Sequence, residues 1–299
     1  QFRVRALGQP SFNNVQSLFS ALATHGGISN YHAMFATVRN RPWNGLQFDV
    51  NYTLSKSLDQ AGNVQNNLSL ISNGFRLNAD YGPAQSDRRH VLNGIFNYDL
   101  PFGTGRRWSA AQGWLNNVIG GWYFSGIYRA YTSLPLFVTD NTGVFGTLVG
   151  PNNNAIPLRP PASLDPGIYG GVAGSGGVGT TGNPANNGSG LNLFTNPEDA
   201  FNSFRRILLT QDGRGRGNEF RGPGFWNLDF RVGKETRITE RVTYALSFDF
   251  FNVFNHVNFS TPSLSLNNRA AFGVFTSQLT PPNRTDGARW IQLGMRISF

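Results

Sequence analysis

The residues of this chain that could do chemistry are few and scattered. Histidine stands at 25, 32, 90 and 256, with no HExxH or comparable spacing that would aim two imidazoles at one metal ion. The run Gly174-Ser-Gly-Gly-Val-Gly-Thr-Thr-Gly182 has the glycine content of a phosphate-cradling loop. No lysine follows where one would reach a phosphate, and no strand and helix flank it in the required order, so it reads as a flexible loop. Glu198 and Asp199 form an adjacent acid pair and serines are frequent, yet no serine sits in a nucleophile elbow beside an identifiable histidine base. Cysteine is absent, which removes thiol catalysis, disulfides and thiolate metal sites. The expectation is a protein with no catalytic constellation, no metal site and no cofactor.

Charge narrows the partners. The formal net charge is +9 and the isoelectric point about 10.3, a balance that can signal nucleic acid. Lysine occurs only at 56 and 234, the arginines are scattered, and no basic run or helix face forms a stripe that could track a phosphate backbone. Nucleic acid is therefore not expected. The arginines fit better in a pore lining, at lipid head groups or in turns.

What must position these residues is β-structure. Apolar side chains fall at Ile291, Leu293, Met295, Ile297 and Phe299, alternating with Gln292, Gly294, Arg296 and Ser298. That period of two makes one strand with an apolar and a polar face. Six more segments show the same character, giving strands near 31–41, 45–57, 88–100, 119–131, 225–237, 241–254 and 288–299. Several run to about a dozen residues, longer than the usual soluble strand and long enough to cross a bilayer at a tilt. If Phe299 marks the periplasmic end, the brief turns 42–44 and 238–240 lie on that side, and every long gap, 58–87, 132–224 and 255–287, lies outside. Short periplasmic turns with long external loops are the pattern of transmembrane β-barrels. The 101–118 connection is long for a periplasmic turn.

Composition permits this reading. Residues are 39% hydrophobic, and no run of about 18 apolar residues exists to form a membrane helix, a test that alternating strands escape. Aromatics at 13% can supply interfacial girdles, with Trp43, Trp108, Trp114 and Trp122 near the periplasmic ends, while 36 glycines suit turns and loops. The alternation assigns Leu46, Phe48, Val50, Val242, Tyr244 and Phe248 to lipid. Asp49, Asn51, Asp229, Arg231 and Asp249 become candidate lumen-lining residues. Segment 132–224, rich in Gly, Asn and Pro, reads as an irregular external excursion with a short helix, Asp199–Leu209, inside it. Residues 1–299 are thus expected to form one all-β unit, an antiparallel transmembrane barrel portion. A chain that opens at Gln1 without Met or signal segment is expected to be a mature piece whose export address lies upstream.

Two resemblances sharpen this picture. A last strand ending on a terminal Phe resembles the closing strand of Gram-negative outer-membrane barrels, where Ile291, Leu293, Met295, Ile297 and Phe299 would act as the signal read by the barrel insertion machinery. The phrases Asn30-Tyr-His-Ala33, Asn51-Tyr-Thr-Leu-Ser-Lys-Ser57, Asp87-Arg-Arg-His90, Leu100-Pro-Phe-Gly103, Arg221-Gly-Pro-Gly-Phe-Trp-Asn-Leu-Asp229 and Phe248-Asp-Phe-Phe-Asn-Val-Phe-Asn-His256, closing on Gly294-Met-Arg-Ile-Ser-Phe299, resemble the carboxy-terminal barrel of Oar-like TonB-dependent outer-membrane receptors. That resemblance implies a barrel of about 22 strands with a separate plug domain, of which this chain is expected to supply seven strands and no plug. It also implies an outer-membrane transporter with lipid, its own plug and TonB as partners. A large substrate such as a glycan, peptide or chelate would be captured at the external loops. Two other readings stay open on the sequence: an adhesion or secretion-associated barrel without active uptake, and a soluble β-sandwich carbohydrate-binding module, whose strands would alternate in the same way with faces exchanged.

Overall fold

The computed structural model describes residues 28–60, 81–103, 105–108, 114–140, 154–170, 190–206, 219–239, 241–281 and 286–299. Their long strands are β1 (Ser29–Arg39), β2 (Leu46–Asp59), β3 (His90–Asp99), β4 (Trp122–Tyr131), β5 (Phe225–Arg237), β6 (Thr243–Phe251) and β7 (Trp290–Ser298). They pair antiparallel with their sequence neighbours in one sheet. All seven segments read from the alternation are strands, with ends shifted by a few residues. A β-sandwich would need a second long sheet packed on this one; among the described residues the other pairings are two- and three-residue pieces.

Register follows from the side chains. Phe48, Phe96, Gly126, Phe230, Phe250 and Ile291 stand opposite one another in a row across six strands. The Phe96 ring occupies the space a side chain at 126 would need, and Phe230 packs beside Phe124 with ring centroids 5.6 Å apart. A slip of one residue would turn each strand over and bring its polar set to this face.

The connections on one side of the sheet are short. Asn44 (φ 50°) and Gly45 (φ 84°) are the central pair of a two-residue hairpin turn, closed by Trp43 N–H to Leu46 O (3.0 Å) and Leu46 N–H to Trp43 O (2.9 Å). Both residues need positive φ, which Asn-Gly tolerates best. The longer β3–β4 connection holds a helix that the apolar pattern does not announce, α1 (Trp114–Ile119). Six residues are too few to display a helical period. Lys234 ties α1 to β5, donating from Nζ to Val118 O (3.0 Å) and Gly120 O (2.7 Å), the favourable place for a cation at a helix C-terminus.

The buried apolar core lies outside the sheet, and the described residues of the irregular segment 132–224 supply part of it. Leu136, Val138, Leu193, Phe194, Phe204 and Phe220 from that segment form one cluster with Leu264, Leu266, Phe272 and Phe275 from the β6–β7 connection. Phe194 sits at its centre, stacked on Phe272 (5.8 Å) and edge-on to Phe220 (5.6 Å). The described parts of two long connections thus make one folded cap. Paired pieces Pro135–Phe137 with Glu219–Arg221 extend the β4–β5 hairpin into it. A short helix, α2 (Pro197–Asn202), begins two residues earlier than expected because Asn196 caps its start and Pro197 fills its first turn, and it stops sooner, with Phe204–Arg205 pairing to Ile156–Pro157 instead. Gly273, at φ 76°, approaches the Asn192 side chain too closely for any Cβ, and Asn192 donates from Nδ2 to Phe272 O at 2.9 Å. The segment's low apolar density hid this core from the sequence reading.

Phe194→Ala should cost about 3–5 kcal/mol of cap stability, the range for emptying a buried aromatic site. Limited proteolysis of the detergent-folded protein should then cut within 190–206 and 258–275 while the sheet resists.

Candidate functional site

The sheet sorts charge completely by face. Every acidic residue of the seven strands, Asp49, Asp59, Asp99, Asp229, Glu235 and Asp249, lies on the face opposite the Phe48–Ile291 row. Arg39, Arg129, Arg231, Arg237 and Arg296 share that face. Both lysines, Lys56 and Lys234, lie on the apolar one.

On the polar face the charges pair locally. Arg39 donates from Nε to Asp49 Oδ2 at 2.6 Å. Asn51 donates from Nδ2 to Asp49 Oδ1 (2.6 Å) and accepts from Thr37 Oγ1 (2.8 Å). Arg231 grips Asp249 with two N–H groups, Nη2 meeting Oδ2 at 3.0 Å and Nε meeting Oδ1. Asp229 accepts from Asn227 Nδ2 (2.8 Å) and from the Asn252 backbone N–H (2.9 Å), with Arg129 3.8 Å away. All five sequence candidates therefore share one wall, where carboxylates and guanidiniums satisfy one another and leave a surface of mixed donors and acceptors. The wall is not uniformly polar, since exposed Ile95 and Ile127 stand side by side in its middle. Towards the short-turn end it opens into a cleft of about 440 Å³ lined by Asp99, Arg106, Asn116, Tyr123, Glu235 and Arg237.

At the long-loop end, two phrases far apart in sequence meet. Asp87 is buried, 1% exposed. It pairs with Arg221 and accepts the Ser57 backbone N–H at 2.7 Å. Arg221 Nη1 also donates to the carbonyls of Asp87 and Ser133, both at 2.9 Å. Arg88 lies over the Tyr131 ring at 4.0 Å, and the Thr132 hydroxyl accepts from the Arg89 and His90 N–H groups at 3.0 and 3.1 Å. This latch joins the outer ends of β2, β3, β4 and β5. The sequence marked Asp87-Arg-Arg-His90 only as the end of a strand.

Asparagines control the exit of β6. Asn252 and Asn255 both adopt positive φ, 52° and 53°, as short polar side chains can. Asn258 pairs through its amide with the Trp226 backbone, accepting at 3.0 Å and donating at 2.9 Å. His256 stacks on the Trp226 ring at 4.1 Å.

Residues 7–292 match the model of the outer membrane beta barrel domain. This chain belongs to that family. No curated protein and no solved structure gives a match.

As an outer-membrane barrel portion, the chain has its apolar face in lipid and its polar face towards a lumen, and the long connections are external by the usual rule. Ile291, Leu293, Met295 and Ile297 all lie on the lipid face, opposite Phe250, Phe248, Leu246 and Tyr244. Phe299 follows the end of β7, fully exposed. Trp43 and Trp108 are exposed at the periplasmic side, where Trp122 begins β4 and Trp114 begins α1. Among the described residues the sheet is open, and β1 and β7 both run from the external to the periplasmic side. They cannot pair antiparallel with each other, so closure takes an odd number of further strands; an open edge in lipid would leave backbone groups unpaired.

Arg221→Ala would leave the buried Asp87 carboxylate only the Ser57 amide and the Arg89 guanidinium 3.4 Å away, a change expected to cost about 3 kcal/mol. The gel-shift melting temperature of the detergent-folded barrel should fall accordingly, while Arg106→Ala, at an exposed pair, changes it little. Burial on Trp226 pushes the His256 imidazole below its ordinary value of 6.5. The folded turn therefore favours the neutral ring, and its stability is full above that value and declines as the pH falls below it. The protection of the 252–258 amides, taken relative to the intrinsic exchange rate at each pH, should fall from neutral pH to about pH 5 and lose this dependence in His256→Gln.

Proposed function

We propose that this barrel is the carboxy-terminal part of a TonB-dependent outer-membrane transporter of the Oar-like type, which moves its substrate without making or breaking a bond. The observation that carries the reading is a wall of paired charges roofed by a cap that two external loops build together. Such a cap presents a preformed surface for a large solute, a glycan, peptide or chelate. The wall beneath offers polar contacts from locally paired charges such as Arg39 with Asp49 and Arg231 with Asp249.

The family phrases support the reading because they have structural work in common. Asp87-Arg-Arg-His90 and Arg221-Gly-Pro-Gly224 meet in the latch that seats the cap on the wall, and Asn252–His256 sets the exit towards the second capping loop. Energy would come from TonB through an upstream segment, a plug would occupy the lumen, and the insertion machinery would read the β7 residues ending at Phe299.

The test is accumulation of fluorescent oligosaccharide and peptide pools by the native host, with and without a functional TonB, each in strains carrying or lacking the full-length gene. Uptake that requires both supports transport. Uptake indifferent to TonB, accompanied by loss of surface attachment when the gene is deleted, would instead identify an adhesion or secretion-associated barrel.

A further inference from the structure

The two lysines of this protein stand on the lipid face at opposite rims, and they are used differently. Lys234, at the periplasmic rim, is engaged by the α1 carbonyls and lies 5.0 Å from the Trp122 ring centre. Lys56, at the external rim, is exposed and makes no ion pair among the described residues. Its register partner on β1 is His32, and one row closer to the membrane centre His90 of β3 stands opposite Leu54. Both histidines are exposed. Tyr52 stacks on His90, and its hydroxyl lies 2.7 Å from Nδ1. With that hydroxyl donating, Nε2 becomes the proton-bearing nitrogen, free to donate in turn.

We propose that His32, Lys56 and His90 bind the phosphorylated headgroup of an external-leaflet lipid on the outside of the barrel. Three observations converge. The lipid face carries no acidic residue in any of the seven strands, so nothing on that wall opposes an anion. The three basic groups come from adjacent strands and adjacent rows of one face. Exposed Met34 and Leu54 share the His90 row, below His32 and Lys56, and begin the apolar band where acyl chains would lie. A long amphipathic cation above an apolar band reaches the headgroup level without leaving it, and Tyr52 occupies the interfacial position typical of its type. Lys56 supplies fixed charge and the imidazoles supply N–H donors. The inference uses the outer-membrane setting and is independent of whether the barrel transports anything.

The experiment uses the full-length protein folded into neutral phosphatidylcholine vesicles, with or without bisphosphorylated lipid A. Native mass spectrometry counts retained glycolipid, and the gel-shift melting temperature reports stabilisation. Lys56→Gln should weaken retention about five-fold, the effect of one cation near an anionic surface. The His32→Gln, Lys56→Gln, His90→Gln combination should abolish both retention and stabilisation, and Lys56→Arg should preserve them. Wild-type protein offered dephosphorylated glycolipid should behave like the combined variant, a result that needs no substitution to fold. Equal retention by the folded combined variant, or by wild type with the dephosphorylated lipid, would overturn the proposal. So would stabilisation of the detergent-solubilised protein by inorganic phosphate as large as that by lipid A, since it would identify a free-anion site.

Discussion

One alignment governs the rest of this structure: the ladder register that keeps Phe48, Phe96, Gly126, Phe230, Phe250 and Ile291 in a single row. Because side chains alternate with a strict period of two, that row decides where every charge in the sheet goes. The same register that stacks phenylalanines against lipid puts six carboxylates and five guanidiniums on the opposite wall. A local slip would not merely lose packing. It would move Asp49 or Asp249 into hydrocarbon, a transfer that no nearby contact could offset.

The wall contributes almost nothing to a conventional core, since both its faces are meant to be covered by something else. Packing of the soluble kind is concentrated in the cap, where Phe194, Phe272 and their neighbours are excluded from water. The two regions therefore rest on different physics: backbone ladder and lipid for the sheet, hydrophobic burial for the cap. Between them stands Asp87, a carboxylate with almost no exposure. A buried charge of this kind is tolerable only while Arg221, Arg89 and the Ser57 amide satisfy it, which makes the junction specific.

The strands were legible in the sequence because period-two alternation over nine or more residues has no competing explanation, and the side assignment followed from where long and short gaps fell. That the five polar candidates share one face was legible for the same reason. The cap core was not, because its apolar residues are spread among glycines, asparagines and prolines and converge from two separate connections. The latch was invisible because Arg221 and Asp87 lie 134 positions apart and no local pattern links them. Ile95 and Ile127 look like ordinary alternation errors in one dimension and become a paired patch only across β3 and β4. Helix α1 was missed for its brevity, and Asn252 and Asn255 for a conformational role that composition alone does not display.

The shared cap core has an evolutionary corollary. External loops are usually the parts of a barrel that diverge freely, since each can change without disturbing its neighbour. Here Leu193 and Phe194 from one loop interlock with Phe272 and Phe275 from the other, so the buried positions must change in concert and only the outer surface can drift. A graft that replaced one loop alone would bring half of a core to a foreign complement. Exchange of recognition surfaces between relatives of this barrel has to move the two loops as a single cassette.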